Sequence, residues 1–232
     1  MSKLQLPSTT LLMVDCLNAD RSIKVIEHCK SMCDFGDVKF LTSIPNDYQH
    51  SVKIMPLTSL IAYSIFMLSH VHKYINTAHF LVVQRDGWIL NPESFDPAWL
   101  ELDYIGPLFM QMDRTGSGGF SLRSKKIMEE ISKRVPVWDG SQKHADEIQK
   151  TLPYYEDGII ALTPFSYNFK IASLDQAADF AAGGNRNPQY FRDRPFGWHR
   201  TWQDIDFKTG LIDSSDTSKD IKAGYDDEID KL

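Results

Sequence analysis

Short apolar runs alternate with longer amphipathic stretches along the first ninety residues of the chain. The apolar runs are typical of buried strands and lie at residues 11–16, 38–42 and 79–84, with a further candidate at 52–55. The longer stretches between them predict helices over residues 18–32 and 56–75. Because strands that alternate with helices build a parallel sheet, we predict an α/β fold with a parallel sheet and helices on both of its faces.

The pattern changes beyond residue 87, where proline, glycine and aromatic residues become frequent and the segments shorten. Short strands or sheet edges are predicted at residues 88–90 and 104–106. Helices are predicted at residues 127–134, 142–151 and 159–162. From residue 203 onward the chain is polar and acidic, and we predict that residues 203–232 form a weakly structured, peripheral tail.

Composition narrows the function classes. A length of 232 residues and a hydrophobic content of 42% suffice for a large core. The net charge of −6 argues against a general nucleic-acid binder, which usually carries a basic face. No apolar run reaches the roughly 18 residues of a membrane span, and no signal peptide is recognisable. We therefore expect a soluble, cytoplasmic protein without a membrane span.

Three cysteines do not suggest a disulfide framework. Cys29 and Cys33 lie four residues apart on one face of the predicted helix, with His28 beside them. A zinc site needs four ligands, and no second pair is suitably placed. We interpret Cys29 and Cys33 as small buried hydrophobic residues.

The most informative segment is residues 115–123, which contains Gly116, Gly118 and Gly119 within four positions. Glycines spaced so closely allow backbone N–H groups to approach a ligand. A glycine-rich loop that leads into a helix can bind phosphate or a sugar hydroxyl. The alternative is a tight turn with a bulge.

Two acids follow predicted strands. Ligands of open α/β sheets bind beyond the carboxyl ends of the strands, where Asp15 and Asp86 are expected. An acid in this position is also a frequent turn former or helix cap, so a local structural role stays open.

Five segments together resemble the GT-A nucleotide-sugar glycosyltransferases, in particular an uncharacterised family of that superfamily. They are Gln84-Arg85-Asp86-Gly87, Asp103-Tyr104-Ile105-Gly106, Gly116-Ser117-Gly118-Gly119-Phe120-Ser121-Leu122-Arg123, Glu156-Asp157 and Pro195-Phe196-Gly197-Trp198-His199. The resemblance covers roughly residues 8 to 200. The chain departs from the pattern at Ser117, where the family has Asn, and over residues 166–194, which match nothing in it.

The resemblance implies a single GT-A-like domain over residues 1–202, an α/β fold with a Rossmann-like, mixed but mostly parallel sheet and helices on both faces. Residues 1–90 would be its nucleotide-binding half and residues 91–202 its half for the donor sugar and the acceptor. The expected activity is metal-dependent, inverting transfer of a sugar from a nucleotide-sugar donor, most simply a UDP-sugar. The acceptor is open among a glycan, a protein, a metabolite and a modified nucleic-acid base. A catalytically inactive binding module of the same fold is the alternative, and a nucleotidyltransferase is less favoured because no P-loop signature is present.

The resemblance also implies roles for individual residues. Asp157 would be the catalytic base and Glu156 would orient the acceptor. Asp86 and His199 would bind Mn²⁺ or Mg²⁺, because Gln84 stands where the superfamily usually has the first acid of an Asp-x-Asp motif. The expected donor-binding residues are Asp15, Asp86, Asp103, Gly118, Gly119 and Arg123.

Structural alternatives accompany these roles. His199 could instead be a turn histidine packed on its aromatic neighbours, and Glu156-Asp157 is also a favourable first turn of a helix. Arg123 could brace Asp103 or Asp113 rather than a phosphate. A basic cluster could face a polyanionic acceptor or the donor diphosphate: Arg186, Arg192, Arg194 and Arg200.

Overall fold

A six-stranded sheet forms the centre of the protein, which a computed structural model describes over residues 2–109, 114–163, 168–201 and 203–213. The strands are β1 (Leu4–Val14), β2 (Cys33–Thr42), β3 (Ser51–Lys53), β4 (His79–Val83), β5 (Tyr104–Ile105) and β6 (Ser121–Ser124). Their order in the sheet is β3-β2-β1-β4-β6-β5. The first four run parallel, whereas β6 is antiparallel to β4 and to β5. The predicted mixed, mostly parallel α/β sheet is confirmed.

Within these ranges, six α-helices accompany the sheet: α1 (Ala19–Met32), α2 (Leu60–Ser69), α3 (Lys125–Ser132), α4 (Gln142–Gln149), α5 (Glu156–Leu162) and α6 (Leu174–Phe180). Two small strand pairs also lie in the described part of the chain. β7 (Ala181–Ala182) pairs with β8 (Gly197–Trp198), and β9 (Asp204–Asp206) pairs with β10 (Leu211–Asp213). Within the described ranges, every helix is too short or too polar to cross a bilayer.

Alternating residues of the central strands build two cores. Leu11 and Met13 of β1 belong to the core that includes α1 and α6, while Leu12 and Val14 belong to the core of α2, α3, α4 and α5. The period of two along a strand divides its side chains between the two faces of the sheet. Helices therefore cover both faces, as the alternating pattern predicts.

Local capping explains where the first helices begin and end. Asn18 caps α1 by accepting a hydrogen bond from the Arg21 amide at 3.1 Å. The chain turns extended at Cys33, which starts β2, so Cys29 and Cys33 do not share a helix face as predicted, although both are buried. Ser59 caps α2 and accepts from the Ala62 amide at 3.1 Å, which makes α2 shorter than the predicted helix over residues 56–75.

Several of the described elements differ from the sequence prediction, most of them because they depend on pairing between distant segments. β6 and α6 were not predicted, and residues 88–90 contribute an isolated bridge between Ile89 and Gly197 instead of a strand. The β9–β10 hairpin lies in the segment predicted to be weakly structured, and its Ile212 is buried in the core with α1. The rest of that segment, residues 214–232, lies outside the described residues.

Candidate active site

A pocket of about 300 Å³ opens at the carboxyl ends of β1 and β4, beside the start of α2. Its polar and charged lining comes from four parts of the chain: Asp15, Thr58, Ser59, Tyr63, Gln84, Arg85, Asp86 and Arg200. Leu17 and Leu60 also line it and are strongly exposed, at 72% and 62%. The pocket thus lies where an open α/β sheet binds ligands.

Asp15 fixes one wall of the pocket. Its carboxylate accepts hydrogen bonds from the Leu17 amide and the Ser22 hydroxyl, each at 2.7 Å. The Arg85 guanidinium forms an ion pair with it at 3.0 Å. The structure therefore brings Asp15 to the predicted place, where it shapes the β1–α1 loop and orients Arg85.

A tight turn carries the second acid into the pocket. The amide and carbonyl groups of Gln84 and Gly87 bond reciprocally, at 2.9 and 3.1 Å, so that Arg85 and Asp86 form the tip. One carboxylate oxygen of Asp86 accepts a hydrogen bond from Nε of Arg200 at 2.7 Å. Its other oxygen lies 3.7 Å from Nε2 of His199.

The electrostatics of this group keep Asp86 ionised and His199 neutral. Burial raises the pKa of Asp86, but attraction to His199 in its protonated form and to Arg200 outweighs burial and holds that pKa below its usual value. Burial lowers the pKa of His199 to about 4, with Asp86 offsetting only part of the effect. Because the imidazole is uncharged at neutral pH, Arg200 supplies the charge that stabilises the Asp86 carboxylate.

His199 has one nitrogen in a hydrogen bond and one without a partner. Its Nδ1 lies 3.0 Å from the Ser117 hydroxyl. Its Nε2 is buried without a hydrogen-bond partner, which is uncommon for a buried polar atom. The neighbouring Trp198 and Phe196 pack edge-on against Trp88 and Phe95 in the aromatic core. The atom that a ligand role for His199 would use is therefore the unpartnered Nε2.

The glycine-rich loop at residues 115–123 runs between His199 and Gln84 on one side and the acid pair Glu156–Asp157 on the other. A Cβ atom added at Gly119 would lie 2.0 Å from Nε2 of His199 and 2.5 Å from Oε1 of Gln84. One added at Gly118 would lie 2.6 Å from Oε1 of Glu156. Only glycines allow the main chain to approach both groups this closely.

Asp157 and Glu156 form the first turn of α5. Asp157 accepts hydrogen bonds from the Gly118 amide at 3.3 Å and from the Gly158 amide at 2.7 Å. Burial raises the pKa of Asp157. Burial and then the charge of Asp157 raise the pKa of Glu156 to about 7. The two acids therefore hold protons more tightly than ordinary carboxylates.

Arg123 braces the loop and the acid pair from within the core. Its fully buried guanidinium donates to the Gly118 carbonyl at 3.0 Å and to Glu156 at 3.3 Å, and it lies over the Tyr104 ring. The structural alternative in which Arg123 braces Asp103 is not found, because the side chain extends toward Glu156 of α5. Asp113, the other acid considered, lies outside the described residues. The complete burial of Arg123 supports a structural role.

Asp103 is not brought to the site. Its carboxylate accepts hydrogen bonds from the Ser124 hydroxyl at 2.7 Å and the Lys170 amide at 3.0 Å. Ser124 pairs with His79, the first residue of β4, whereas the pocket lies beyond the last residue of that strand. The donor-binding role expected of Asp103 is therefore wrong. Its carboxylate instead braces Ser124 and Lys170 near the start of β4, at the end of the strand opposite the pocket.

Two residues that sequence reasoning overlooked connect the pocket to the acid pair. The Tyr63 hydroxyl accepts a hydrogen bond from Nε2 of Gln84 at 3.1 Å, and the Ser64 hydroxyl accepts one from the Glu156 amide at 2.8 Å. Both lie in α2, where they interrupt an otherwise apolar run. Polar positions inside an apolar helix were the available signal.

The basic cluster is divided among several surfaces. Of its four arginines, Arg200 lines the described pocket. Arg192 pairs with Asp175 and Asp179, and Arg194 pairs with Glu93. The described contacts therefore do not gather these side chains into one binding face for a polyanion.

Asp86 and His199 could supply two ligands to one divalent cation after a small movement toward each other. Adjacent octahedral ligands at about 2.1 Å from an ion lie about 3.0 Å apart, whereas Oδ1 of Asp86 and Nε2 of His199 are separated by 3.7 Å. The unpartnered Nε2 of neutral His199 is a suitable donor atom. Among the described residues no group of three or more metal-ligating side chains is found. A bound molecule would therefore have to supply the remaining coordinating atoms of a cation.

Comparison with known proteins adds a family but no activity. A family profile described as "Protein of unknown function (DUF5672)" matches residues 49–199. No curated protein matches the chain, and no solved structure matches it. The matched range covers more than half of the 232 residues and includes the turn at Asp86, the glycine-rich loop, the acid pair and His199. The chain therefore belongs to the DUF5672 family.

Proposed function

We propose that this protein is a metal-dependent, inverting glycosyltransferase with a GT-A-like fold. It would transfer a sugar from a nucleotide-sugar donor to an acceptor hydroxyl. The observation that carries the proposal is the position of Gly118 and Gly119, whose main chain touches the acid pair on one side and the group of His199 and Gln84 on the other. Four of the five segments behind the resemblance thus lie close together, while Asp103 of the fifth lies elsewhere.

The pocket at the ends of β1 and β4 would bind the nucleotide, and the glycine-rich loop would lie against the donor sugar. The strand order, with β6 antiparallel beside β4, supports the GT-A-like arrangement. UDP is the simplest assumption for the nucleotide. The acceptor stays open among a glycan, a protein, a metabolite and a modified nucleic-acid base, although the divided basic cluster disfavours a long polyanion.

Asp157 would act as the general base. As the acceptor oxygen attacks the anomeric carbon, the bond from that carbon to the diphosphate oxygen breaks and the hydroxyl proton passes to the Asp157 carboxylate. A single displacement inverts the configuration. The raised pKa of Asp157 makes it a better proton acceptor than an ordinary aspartate, and its hydrogen bond from the Gly118 amide fixes its position.

Glu156 would bind and orient the acceptor at the same helix terminus. With its pKa raised to about 7, it is partly protonated at neutral pH and can donate as well as accept a hydrogen bond. Arg123 holds Glu156 and the Gly118 carbonyl together, so the loop and the acid pair keep one spacing.

Asp86 and His199 are the residues that would hold Mn²⁺ or Mg²⁺. When bound, the cation would supply the charge that stabilises the departing diphosphate. The Ser117 hydroxyl contacts Nδ1 of His199 and would orient the ring, a role typical of hydrogen-bond partners behind a metal ligand.

Donor hydrolysis tests the proposal directly. The protein is incubated with a panel of UDP- and GDP-sugars in the presence of Mn²⁺, and released nucleotide is measured. We expect release from at least one donor and loss of that release on addition of EDTA. Absence of release from every donor, together with no thermal shift on nucleotide addition, would contradict the proposal.

A catalytically inactive binding module is the second candidate. It is favoured by two observations: Gln84 stands at a position where a carboxylate is expected, and Arg200 already occupies one oxygen of Asp86. This alternative predicts nucleotide binding that is indifferent to EDTA, with no turnover. The same donor panel separates the two candidates.

A further inference from the structure

Two acid–arginine pairs line the pocket side by side. Arg85 is held by Asp15 at 3.0 Å and Arg200 by Asp86 at 2.7 Å. Arg85 and Asp86 are consecutive residues, so the two pairs are neighbours. Their formal charges cancel, which means that an anion entering the pocket must compete with carboxylates for the guanidinium groups.

The two side chains of the Asp86–Arg200 pair differ in how far they are exposed to solvent. The Arg200 side chain is 68% exposed, whereas that of Asp86 is 21% exposed and fixed by the turn at residues 84–87. Arg200 also has a left-handed backbone, with a φ of 44° that non-glycine residues seldom adopt. Its amide donates to the Asp86 carbonyl at 3.3 Å, which keeps the guanidinium close to the pocket. Arg200 is therefore the partner that can change its contact.

We propose that Arg200 exchanges Asp86 for the diphosphate of the donor and thereby leaves an Asp86 oxygen accessible to a divalent cation. The inference rests on the proposed function for the identity of its ligand. Phosphate oxygens accept bidentate, charge-assisted hydrogen bonds from guanidinium groups, so the diphosphate offers Arg200 the same kind of contact as the Asp86 carboxylate. The exchange therefore keeps the guanidinium paired and gives the diphosphate a cationic contact.

A consequence is that Asp86 and the diphosphate compete for Arg200. In a metal-free buffer, removal of the Asp86 charge should favour diphosphate binding through Arg200, and removal of the guanidinium should weaken it. The two effects should not be independent, because both act on the same side chain.

A double-mutant cycle with inorganic pyrophosphate tests the inference. Binding is measured by calorimetry in EDTA for the unmodified protein, Asp86→Asn, Arg200→Asn and the double variant. We expect Asp86→Asn to bind about tenfold more tightly and Arg200→Asn about tenfold more weakly, the size of one charge-assisted hydrogen bond. In the Arg200→Asn background, Asp86→Asn should have almost no effect. Arg194→Gln, outside the pocket, is the control for a lost positive charge.

Two results would overturn the inference. One is that Asp86→Asn strengthens binding equally with and without Arg200, which would indicate a general charge effect. The other is that pyrophosphate does not bind the unmodified protein. Asparagine tolerates the left-handed backbone of position 200, and thermal unfolding checks each variant; Arg200→Gln replaces it if Arg200→Asn does not fold. The donor-hydrolysis assay tests the proposed function separately. If the double-mutant cycle shows the expected coupling but no donor releases nucleotide, the exchange at Arg200 is supported and the proposed transferase activity is contradicted.

Discussion

Gly119 lies so close to His199 that a Cβ atom on the glycine would be 2.0 Å from Nε2 of the imidazole. Real Cβ atoms do not approach another atom this closely, so any larger residue must displace the ring or the loop. The contact joins the glycine-rich loop to the C-terminal part of the site. It explains why a glycine is required at this position even though its backbone conformation is ordinary.

Gly119→Ala should therefore abolish Mn²⁺ binding and nucleotide release, because His199 and Gln84 would both be displaced. The readouts are free Mn²⁺ by electron paramagnetic resonance and the donor assay. Gly36→Ala is the matched control, since its Cβ would lie 2.0 Å from the Pro7 carbonyl oxygen, in a part of β2 remote from the pocket. Both variants should lose stability, and the site assignment is contradicted if Gly119→Ala still binds Mn²⁺ normally.

Asp157→Asn should remove transfer activity while nucleotide binding is retained. The amide keeps the size of the carboxylate but cannot take up the acceptor proton, and losses of general-base catalysis are about 10²–10⁴-fold. Turnover and nucleotide affinity are measured on the same preparation. Asp20→Asn, at an exposed acid in the first turn of α1, should change neither. Normal turnover in Asp157→Asn would remove Asp157 as the base.

Glu156 should make stability fall as pH rises between about 4.5 and 7. Its pKa is raised from 4.5 to about 7 in the folded protein, so over this window the folded state binds more protons than the unfolded state. The contribution of Glu156 to the free energy of unfolding is fully present below its unfolded-state pKa. It is lost as the pH rises through the folded-state pKa, and its total is on the order of 3 kcal/mol. Urea unfolding of the unmodified protein and Glu156→Gln across pH 4.5–8 measures it. Equal pH dependence in both proteins would contradict the raised pKa.

Arg123→Met should destabilise the protein by about 3–5 kcal/mol, because it leaves the buried Glu156 without its cation. The double variant Arg123→Met with Glu156→Leu should recover much of that loss, since neither charge is then buried alone. Urea unfolding measures both. Lys133→Met, which removes an exposed ion pair with Glu130, should be close to neutral. If the double variant is as unstable as the single one, Arg123 contributes by packing instead of charge pairing.

Asp103→Ala should lower stability and leave ligand binding unchanged. The substitution leaves the Ser124 hydroxyl and the Lys170 amide without their acceptor, at a cost of about 1–3 kcal/mol. Nucleotide affinity at a temperature where the variant is folded is the decisive measurement. A selective loss of affinity in a stable variant would return Asp103 to the site.

The sequence by itself determined the parallel part of the sheet and the positions of α1, α3, α4 and α5. Strand and helix periodicity are local properties, and a cap such as Asn18 acts within three residues of its own position. The resemblance of five short segments to the GT-A glycosyltransferases also led us to expect Asp86, His199, the loop glycines and the acid pair in one place. Periodicity and spacing alone did not predict this convergence, because the segments are far apart in the chain.

Tertiary structure alone decided the elements and partners that depend on distant contacts. β6 exists because Ser121–Ser124 pairs with β4, and the β9–β10 hairpin is stabilised by burial of Ile212. Arg123 pairs with Glu156 and not with Asp103, and Asp86 pairs with Arg200. These two pairs join residues that are 33 and 114 positions apart in the chain. Such pairings depend on the direction of each side chain after the sheet has formed, and local sequence carries no information about that direction.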